Sequence, residues 1–376
     1  MDKETVYASL GELHEFMRLT FIAAGVPEKD AAICADVLSE SDKRGIDSHG
    51  IGRFKPIYLD RIKAGIQNPV TALEIVRETP TTAVIDGHDG MGHVISVKAM
   101  EMTIEKAKKT GMGMVVVRNS THYGIAGYYA LMAAKEDMIC MTGTNARPSI
   151  APTFGVENML GTNPLTIGFP TGEDFPFLID CATSITQRGT IEQYARIGKT
   201  MPEGWVLDSD GHPVTDPQIA LKGLTDGTCA LAPLGGIGDD LAGYKGYGYA
   251  TAVEVLSAAL QSGSFLKALG GMAPDGSPQP YRLGHFFIAI AIDAFTEPDE
   301  FKKITREILH ELRSSKKAAG HDRIYTAGEK EYLAYLERSK TGVPLEAAVR
   351  ASLQSARDEY KVGFTFSWEK SGAKNS

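Results

Sequence analysis

The 376-residue sequence concentrates its polar chemistry in one short run, Arg44-Gly45-Ile46-Asp47-Ser48-His49-Gly50, followed by Arg53. A helix starting at Ser48 would set His49 and Arg53 four residues apart on one face. An imidazole exchanges protons with a substrate oxygen near neutral pH, and a guanidinium grips a carboxylate through two parallel hydrogen bonds. Ser48 stands where it could orient or tune the imidazole. The competing reading is a helix capped by Asp47 or Ser48, with His49 and Arg53 merely solvated.

A second group of candidates lies where loops leave strands. His122 follows a central strand and precedes a helix, a position that commonly holds ligands, and Asn119, Ser120 and the amides from Tyr123 to Ala126 could donate to a phosphate. The run can equally be a polar connector. Gly161-Thr162-Asn163-Pro164 is either a site loop or an ordinary turn. Asp180, at a strand end, could accept ribose hydroxyls or cap the next turn. Lys245, between Gly243 and Gly246 at a helix entrance, suits a phosphate but can also be a plain surface lysine.

Familiar devices are missing. No Gly-x-Gly-x-x-Gly occurs, since Gly111-x-Gly113 and Gly246-x-Gly248 lack the third glycine, and there is no phosphate-binding Gly-x-x-x-x-Gly-Lys-Ser/Thr loop. His-Glu-x-x-His, clustered-carboxylate and Gly-x-Ser-x-Gly motifs are absent too, so no metal site is expected. A reading from another class, a metal-dependent hydrolase or lyase built on His49 and His122, stays open at this point.

These groups need elements to hold them. Ser9 and Glu12 have capping-box spacing ahead of Leu10, Leu13, Phe16, Met17 and Phe21, which recur at helical period up to Gly25. Pro27 opens a second helix that ends before Gly45. A third runs from Asp47-Ser48 to Gly65, irregular at Pro56. From about Thr81 strands alternate with helices: strand Thr82 to Asp86, glycine turn 87–92, helix Val94 to Lys109, strand Val115 to Val117, helix Gly124 to Lys135, strand Met138 to Thr142. Leu165 to Phe169 and Phe177 to Ile179 read as strands joined by Pro170-Thr171-Gly172. Residues 198–245 read as hairpins and loops, and helices Gly248 to Ala259 and Pro298 to Arg313 flank a buried strand, Phe286 to Ile292. Residues 329–360 read as helical, and the last seven as frayed.

The balance of 39 basic against 47 acidic side chains, net −8, disfavours nucleic acid and anionic membranes as partners. Forty glycines, against a usual ~7%, announce tight turns and close backbone approaches. Met1 to Tyr7 carries Asp2, Lys3 and Glu4 and leads into no apolar core, so no secretory signal is expected. The longest apolar run, Phe286 to Ile292, is too short to span a bilayer. Four scattered cysteines suit a reducing cytoplasm.

Read together, the segments resemble the type 2 malate/L-lactate dehydrogenase family, whose members include malate, sulfolactate and ureidoglycolate dehydrogenase-like enzymes. The pieces run in order over nearly the whole chain: Arg44 to Gly50, Asn119 to Gly124, Leu160 to Leu165, Asp180 to Ser184, Pro202-Glu203-Gly204-Trp205, Lys245 to Gly248 and Ala327-Gly328-Glu329. The resemblance implies an α/β fold of mixed α+β character. It carries a non-Rossmann, largely antiparallel cofactor-binding sheet and a helical domain formed from both termini. Residues 1–75 with 330–376 would make the helical domain and 76–329 the cofactor- and substrate-binding domain, with a possible sub-lobe within 190–280.

The implied activity is NAD(P)-dependent, reversible hydride transfer between nicotinamide and a 2-oxo acid, with malate, lactate or sulfolactate as product. NAD is preferred to NADP, and a cyclic imino acid reductase is the alternative. His49 would be the proton donor and Ser48 its relay partner, with Arg53, Thr162, Arg188 and Gly189 on the substrate side. His122, Tyr123, Gly124, Ile125, Ala126, Asp180, Cys181, Ala182, Tyr244, Lys245, Arg323, Thr326, Gly328 and Glu329 would hold the cofactor. A homodimer is implied as well. Thr190 stands where hydroxy-acid members often have Lys and imine reductases have Asp, and Ala327 where many have Pro. With an imidazole near pKa ~6.5, raised by a bound carboxylate, reduction would give way to oxidation at or slightly above neutrality.

Overall fold

A capping contact starts the first helix where the sequence places it: Ser9 Oγ accepts the Glu12 N–H at 3.2 Å, and Leu13, Phe16, Met17 and Phe21 point inward. The computed structural model describes residues 5–372. It opens with strand β1 (Val6–Ala8) and helices α1 (Leu10–Ala23) and α2 (Glu28–Lys43). The expected third helix is a composite of a 3-10 turn at Ile51–Arg53, a π turn at Phe54–Leu59 and α3 (Asp60–Lys63). Pro56 has no N–H to donate and lies inside the widened turn.

The composite begins at Ile51, not at Ser48, and neither Asp47 nor Ser48 caps it. The buried Asp42 carboxylate of α2 takes the Ile51 N–H at 2.8 Å. It also closes on Gly50, where a Cβ would stand 1.9 Å from an Asp42 oxygen.

The chain continues through β2 (Glu74–Glu78), β3 (Thr82–Asp86), α4 (Gly92–Thr110), β4 (Met112–Ser120), α5 (Gly127–Ala134), β5 (Met138–Thr144), β6 (Leu165–Phe169) and β7 (Phe177–Cys181). Then come α6 (Arg188–Arg196), β8 (Val206–Asp208), α7 (Pro217–Asp226), β9 (Cys229–Leu231), α8 (Gly243–Ala258), β10 (Leu283–Ala291) and α9 (Pro298–Ser314). Helix α10 (Glu329–Thr341), β11 (Val343–Leu345), α11 (Ala347–Glu359) and α12 (Ser367–Gly372) close it.

Seven strands form one sheet in the order β2-β3-β4-β10-β5-β6-β7, mostly antiparallel, with β3 and β4 the parallel neighbours. The apolar strand β10 is central because both its faces are covered. Phe287 packs among α4 and α5, and Phe286 against Val253 of α8. A second cluster draws α1, α2, residues 51–59, β11 and α11 around Phe16, Phe54 and Tyr58, and β1 pairs antiparallel with β11.

Several expectations are corrected. Edge strand β2 and helix α6 were not anticipated. Within 198–245 the β8–β9 hairpin is accompanied by α7, capped by Asp216 Oδ1 at 2.8 and 3.1 Å with Pro217 following. Helix α8 starts at Gly243 rather than Gly248, because its early glycines serve close packing: a Cβ at Gly243 would lie 2.0 Å from Gly236 O and at Gly246 2.2 Å from Leu234 O. The helical stretch 329–360 is split by β11, where Pro344 sits in a strand. The strand expected at Phe286 to Ile292 spans Leu283–Ala291. The fraying expected for the last seven residues meets α12 up to Gly372, and 373–376 lie outside the described residues. No helix among the described residues is long and apolar enough to cross a membrane.

The sheet also buries imidazoles. His285 of β10 bonds Thr144 Oγ1 at 2.7 Å and Ser120 Oγ at 2.8 Å, and burial pushes its pKa down to about 3. Burial likewise lowers His93 to about 3. Such rings stay neutral in the fold and take up a proton when unfolded below pH ~6.5. The stability they allow is complete above that pH and falls toward pH 3, by ~1.4 kcal/mol per pH unit and per ring. His285→Gln should reduce the acid dependence of the unfolding free energy between pH 6 and 4 by one proton; urea titrations at several pH values check this, and an unchanged slope contradicts it.

Candidate active site

Gly45, at φ +77°, turns the chain out of α2, and a tight turn with His49 N–H on Ile46 O at 3.0 Å brings the Ser48-His49 pair to a cavity wall. Ser48 Oγ and His49 Nδ1 are 2.9 Å apart. Arg53 Nε donates to the Ser48 carbonyl at 2.7 Å, which braces the turn and leaves the two terminal nitrogens of the guanidinium for a ligand. Arg53 therefore reaches His49 across a turn, not along a helix face. Burial of the ring, and then the Arg53 charge, hold the His49 pKa down to about 4. The expectation of a near-neutral imidazole is corrected accordingly for the free protein.

His122 stacks on His49 with ring centroids 5.6 Å apart and planes inclined by 21°. Tyr58 Oη lies 2.7 Å from His122 Nδ1, and the Gly124 N–H points at the same nitrogen at 3.3 Å. An N–H can only donate, so the network assigns Nδ1 as acceptor and the proton to Nε2. Burial, with His49 and Arg61 nearby, keeps His122 neutral well below its ordinary range.

These groups open on a cavity of about 550 Å³. Ser48, His49, Arg53, His122, Thr162 and Arg188 all line it. Gly189 follows Arg188 at the start of α6, where Arg188 is engaged by Glu192 at 3.2 Å and Thr225 at 3.1 Å. The sequence reading missed Arg61, Arg147 and Tyr281, which also line the cavity, and Tyr58 behind it. Arg147 follows β5 in Asn145-Ala146-Arg147-Pro148, a strand-end loop of the kind that pointed to His122, so a signal existed. For Arg61 there was none, because it is Tyr281, far along the chain, that stacks on it.

The other candidates gather elsewhere. Asp180 Oδ2 accepts the Gly127 N–H at 2.7 Å and Oδ1 the Thr166 hydroxyl at 3.0 Å, so β7 ties down the start of α5. Cys181 is exposed at the strand end. Tyr123, Ile125 and Ala126 are buried, Tyr123 stacked on His285 at 4.4 Å, and only their backbone remains for a ligand. The 323–329 segment docks on the edge of β7 through Leu178 N–H to Ala327 O at 3.3 Å. There Gly328, φ +89°, lies against Pro176 O. Glu329 is buried beneath, bonded to Arg323 and to the Thr326 N–H.

Thr183, next to Ala182, bonds Thr162 O at 2.9 Å and accepts Leu234 N–H at 2.7 Å. Leu234 in turn backs Gly246, so Tyr244 and Lys245, both exposed, join the same side. Among the described residues the metal-compatible group is Asp208, Asp210 and His212, none of which lines the cavity.

With this arrangement in view, the sequence profile described as Malate/L-lactate dehydrogenase matches residues 8–354. The chain belongs to the malate/L-lactate dehydrogenase family. It is 42% identical to a malate dehydrogenase of Pyrococcus horikoshii over 353 residues, 94% of this chain and 95% of that one. It is 44% identical to an L-sulfolactate dehydrogenase of Methanocaldococcus jannaschii over 307 residues, 82% and 84% of the two. The crystal structure of malate dehydrogenase from Entamoeba histolytica superposes with a TM-score of 0.93 at 45% identity, covering 96% of this chain and 100% of that one. In this malate/L-lactate dehydrogenase family member the segments carrying Ser48, His49, His122 and Thr162 thus meet at one cavity, and those carrying Asp180 and Gly328 at the edge strand β7.

The Asp42 contact generates a test. Burial raises the Asp42 pKa to about 8, well above the usual carboxylate range. Asp42→Ala, which strands the Ile51 N–H, should cost ~1–3 kcal/mol of stability. Asp42→Asn should recover most of that loss. Because the folded pKa exceeds the unfolded one, ionisation of Asp42 withdraws stability as pH rises from ~4 to 8, and Asn escapes this. Chemical unfolding at pH 5 and 8 decides, and equal losses for Ala and Asn at both contradict the assignment.

Proposed function

We propose that the chain is an NAD(P)-dependent 2-hydroxy acid dehydrogenase, with NAD the preferred cofactor and malate, lactate or sulfolactate the class of product. The observation that carries this reading is the convergence of Ser48, His49 and Arg53 on one cavity wall. Such a reaction needs a fixed carboxylate, a proton at the carbonyl oxygen and little water. Arg53, braced through Nε, offers its two terminal nitrogens to the carboxylate. For His49 to act through Nε2, Nδ1 must carry a proton, which Ser48 Oγ at 2.9 Å is placed to accept. Nε2 then gives a proton to the oxygen of a 2-oxo acid or takes one from a hydroxyl. His122, its proton on Nε2, lies stacked against His49 as a neutral neighbour.

The residues present fit a nicotinamide group. The cavity volume falls in the range of cofactor sites and exceeds what a small acid fills, and Pro56, Ile57, Leu224, Leu231 and Leu283 give it apolar wall. Nicotinamide supplies or accepts the hydride when bound. We assign its binding to the backbone from His122 to Ala126, to Asp180, Cys181 and Ala182, to Tyr244 and Lys245, and to Arg323, Thr326, Gly328 and Glu329. We extend the reading to a homodimer, supported by the exposed Tyr249, Val255, Leu260 and Phe265 on and after α8. A panel of pyruvate, oxaloacetate, sulfopyruvate and 2-oxoglutarate with NADH and NADPH tests the activity, and the absence of turnover on all of them overturns it.

The low His49 pKa gives the pH dependence a sign. Above about pH 4 the free protein holds His49 as a neutral base, ready for hydroxy-acid oxidation. Reduction must bring a proton in, and a substrate carboxylate on Arg53 offsets the guanidinium charge that opposes it. Expected are a kcat/KM for oxidation that stays flat from pH 5 to 8 and a kcat/KM for reduction that falls as pH rises over that range. His49→Ala should abolish the fall and cost roughly 10²- to 10⁴-fold in rate. Retention of both rate and profile would move the proton donor to another group, His122 first. Arg53→Lys should raise the KM of the oxo acid far more than that of the cofactor, since a point charge cannot reproduce a planar two-point contact; a change confined to cofactor affinity would place Arg53 in the cofactor site.

A further inference from the structure

The cavity holds more positive charge than one carboxylate can use. Arg61 enters it from α3 with its guanidinium 4.1 Å from the ring centroid of Tyr281, a stacked contact that fixes the direction of a long side chain. Arg147 enters from the loop after β5 and has no hydrogen bond or ion pair among the described residues. The two cations act on one another, since burial and then the neighbouring Arg147 charge depress the Arg61 pKa. Asp60, the acidic residue of the cavity lining, is taken by Lys55 at 2.6 Å. Arg188 is already engaged by Glu192. A half-buried guanidinium and an exposed one facing one cavity, with its lining carboxylate already taken, repel each other, and a bound anion offsets that repulsion.

We propose that Arg61 and Arg147 form a second anion subsite, which takes the distal carboxylate or sulfonate of a dianionic 2-oxo acid while Arg53 holds the carboxylate beside the reacting carbonyl. The assignment rests on the dehydrogenase reading and makes these arginines the determinants of its selectivity. Tyr281 acts as a positioning residue for Arg61. A monoanion such as pyruvate leaves the pair uncompensated, so the enzyme favours four-carbon dicarboxylates or their sulfonate counterparts.

The test is the ratio of kcat/KM for oxaloacetate, and separately for sulfopyruvate, to that for pyruvate. Arg147 is exposed and unbonded, so Arg147→Gln leaves the fold in place. The ratio should drop by about 10- to 100-fold, the worth of a hydrogen bond to a charged group. Arg147→Lys should retain an intermediate ratio, and Arg61→Lys, which keeps the charge and loses the planar contact with Tyr281, should lower it too. A drop confined to oxaloacetate or to sulfopyruvate supports the subsite and names its anion. A wild-type protein that prefers pyruvate, or an Arg147→Gln ratio equal to wild type, overturns the subsite while the dehydrogenase reading stands. Failure of the wild type to turn over all three overturns both.

Discussion

The site depends on one partly buried hydrogen bond, Tyr58 Oη to His122 Nδ1 at 2.7 Å. Tyr58 belongs to the cluster built from both ends of the chain, and His122 lies in the loop just beyond strand β4 of the sheet. Tyr58 is fully buried and His122 is open only toward the cavity, so leaving the phenol unpaired there is expensive. The Gly124 N–H on the same nitrogen removes the other tautomer. Register between the two clusters is thereby set at the position where His49 and His122 stack, and the cavity opens beside that stack.

The electrostatics follow from the same enclosure. Taking imidazoles out of water keeps His49, His93 and His122 neutral, and the guanidiniums around the cavity reinforce this at His49 and His122. Arginine keeps its charge under conditions that discharge histidine, so the cavity combines neutral bases with permanent cations. An anionic ligand changes the balance by cancelling the nearest guanidinium. Binding and protonation are then coupled through Arg53, which touches the Ser48 carbonyl on one side and faces the cavity on the other.

Local rigidity comes from backbone contacts that tolerate no side chain. Gly50 under the Asp42 carboxylate, and Gly243 and Gly246 against the 234–238 loop, each bring main chain closer than a Cβ allows. The first places the Ser48-His49 turn, and the second fixes the start of α8 beside the strand-end residues of β7. The cavity-lining residues and the strand-end residues of β7 are thus held on separate elements joined through Thr183 and its bonds to Thr162 and Leu234.

Much of this was legible in the residues themselves. Capping and apolar periodicity gave α1 and α2, the continuous apolar run gave the central strand, and the motif order gave the family. The cluster of Ser48, His49 and Arg53 could be named because its residue types do proton transfer and carboxylate binding and lie close in the chain. What the sequence could not express was any contact between distant segments. The helix expected at Ser48 begins at Ile51 because a carboxylate from α2 outcompetes the local caps, and glycines that read as a loop serve as packing surfaces inside α8. Arg61 looks like any helix arginine until Tyr281 stacks on it, and His49 looks like an ordinary imidazole until the fold encloses it. Local propensity and residue type act over a few neighbours and are carried by the sequence; burial and electrostatic field are sums over the whole fold, and they decided which of the candidate side chains share a site and in what charge state.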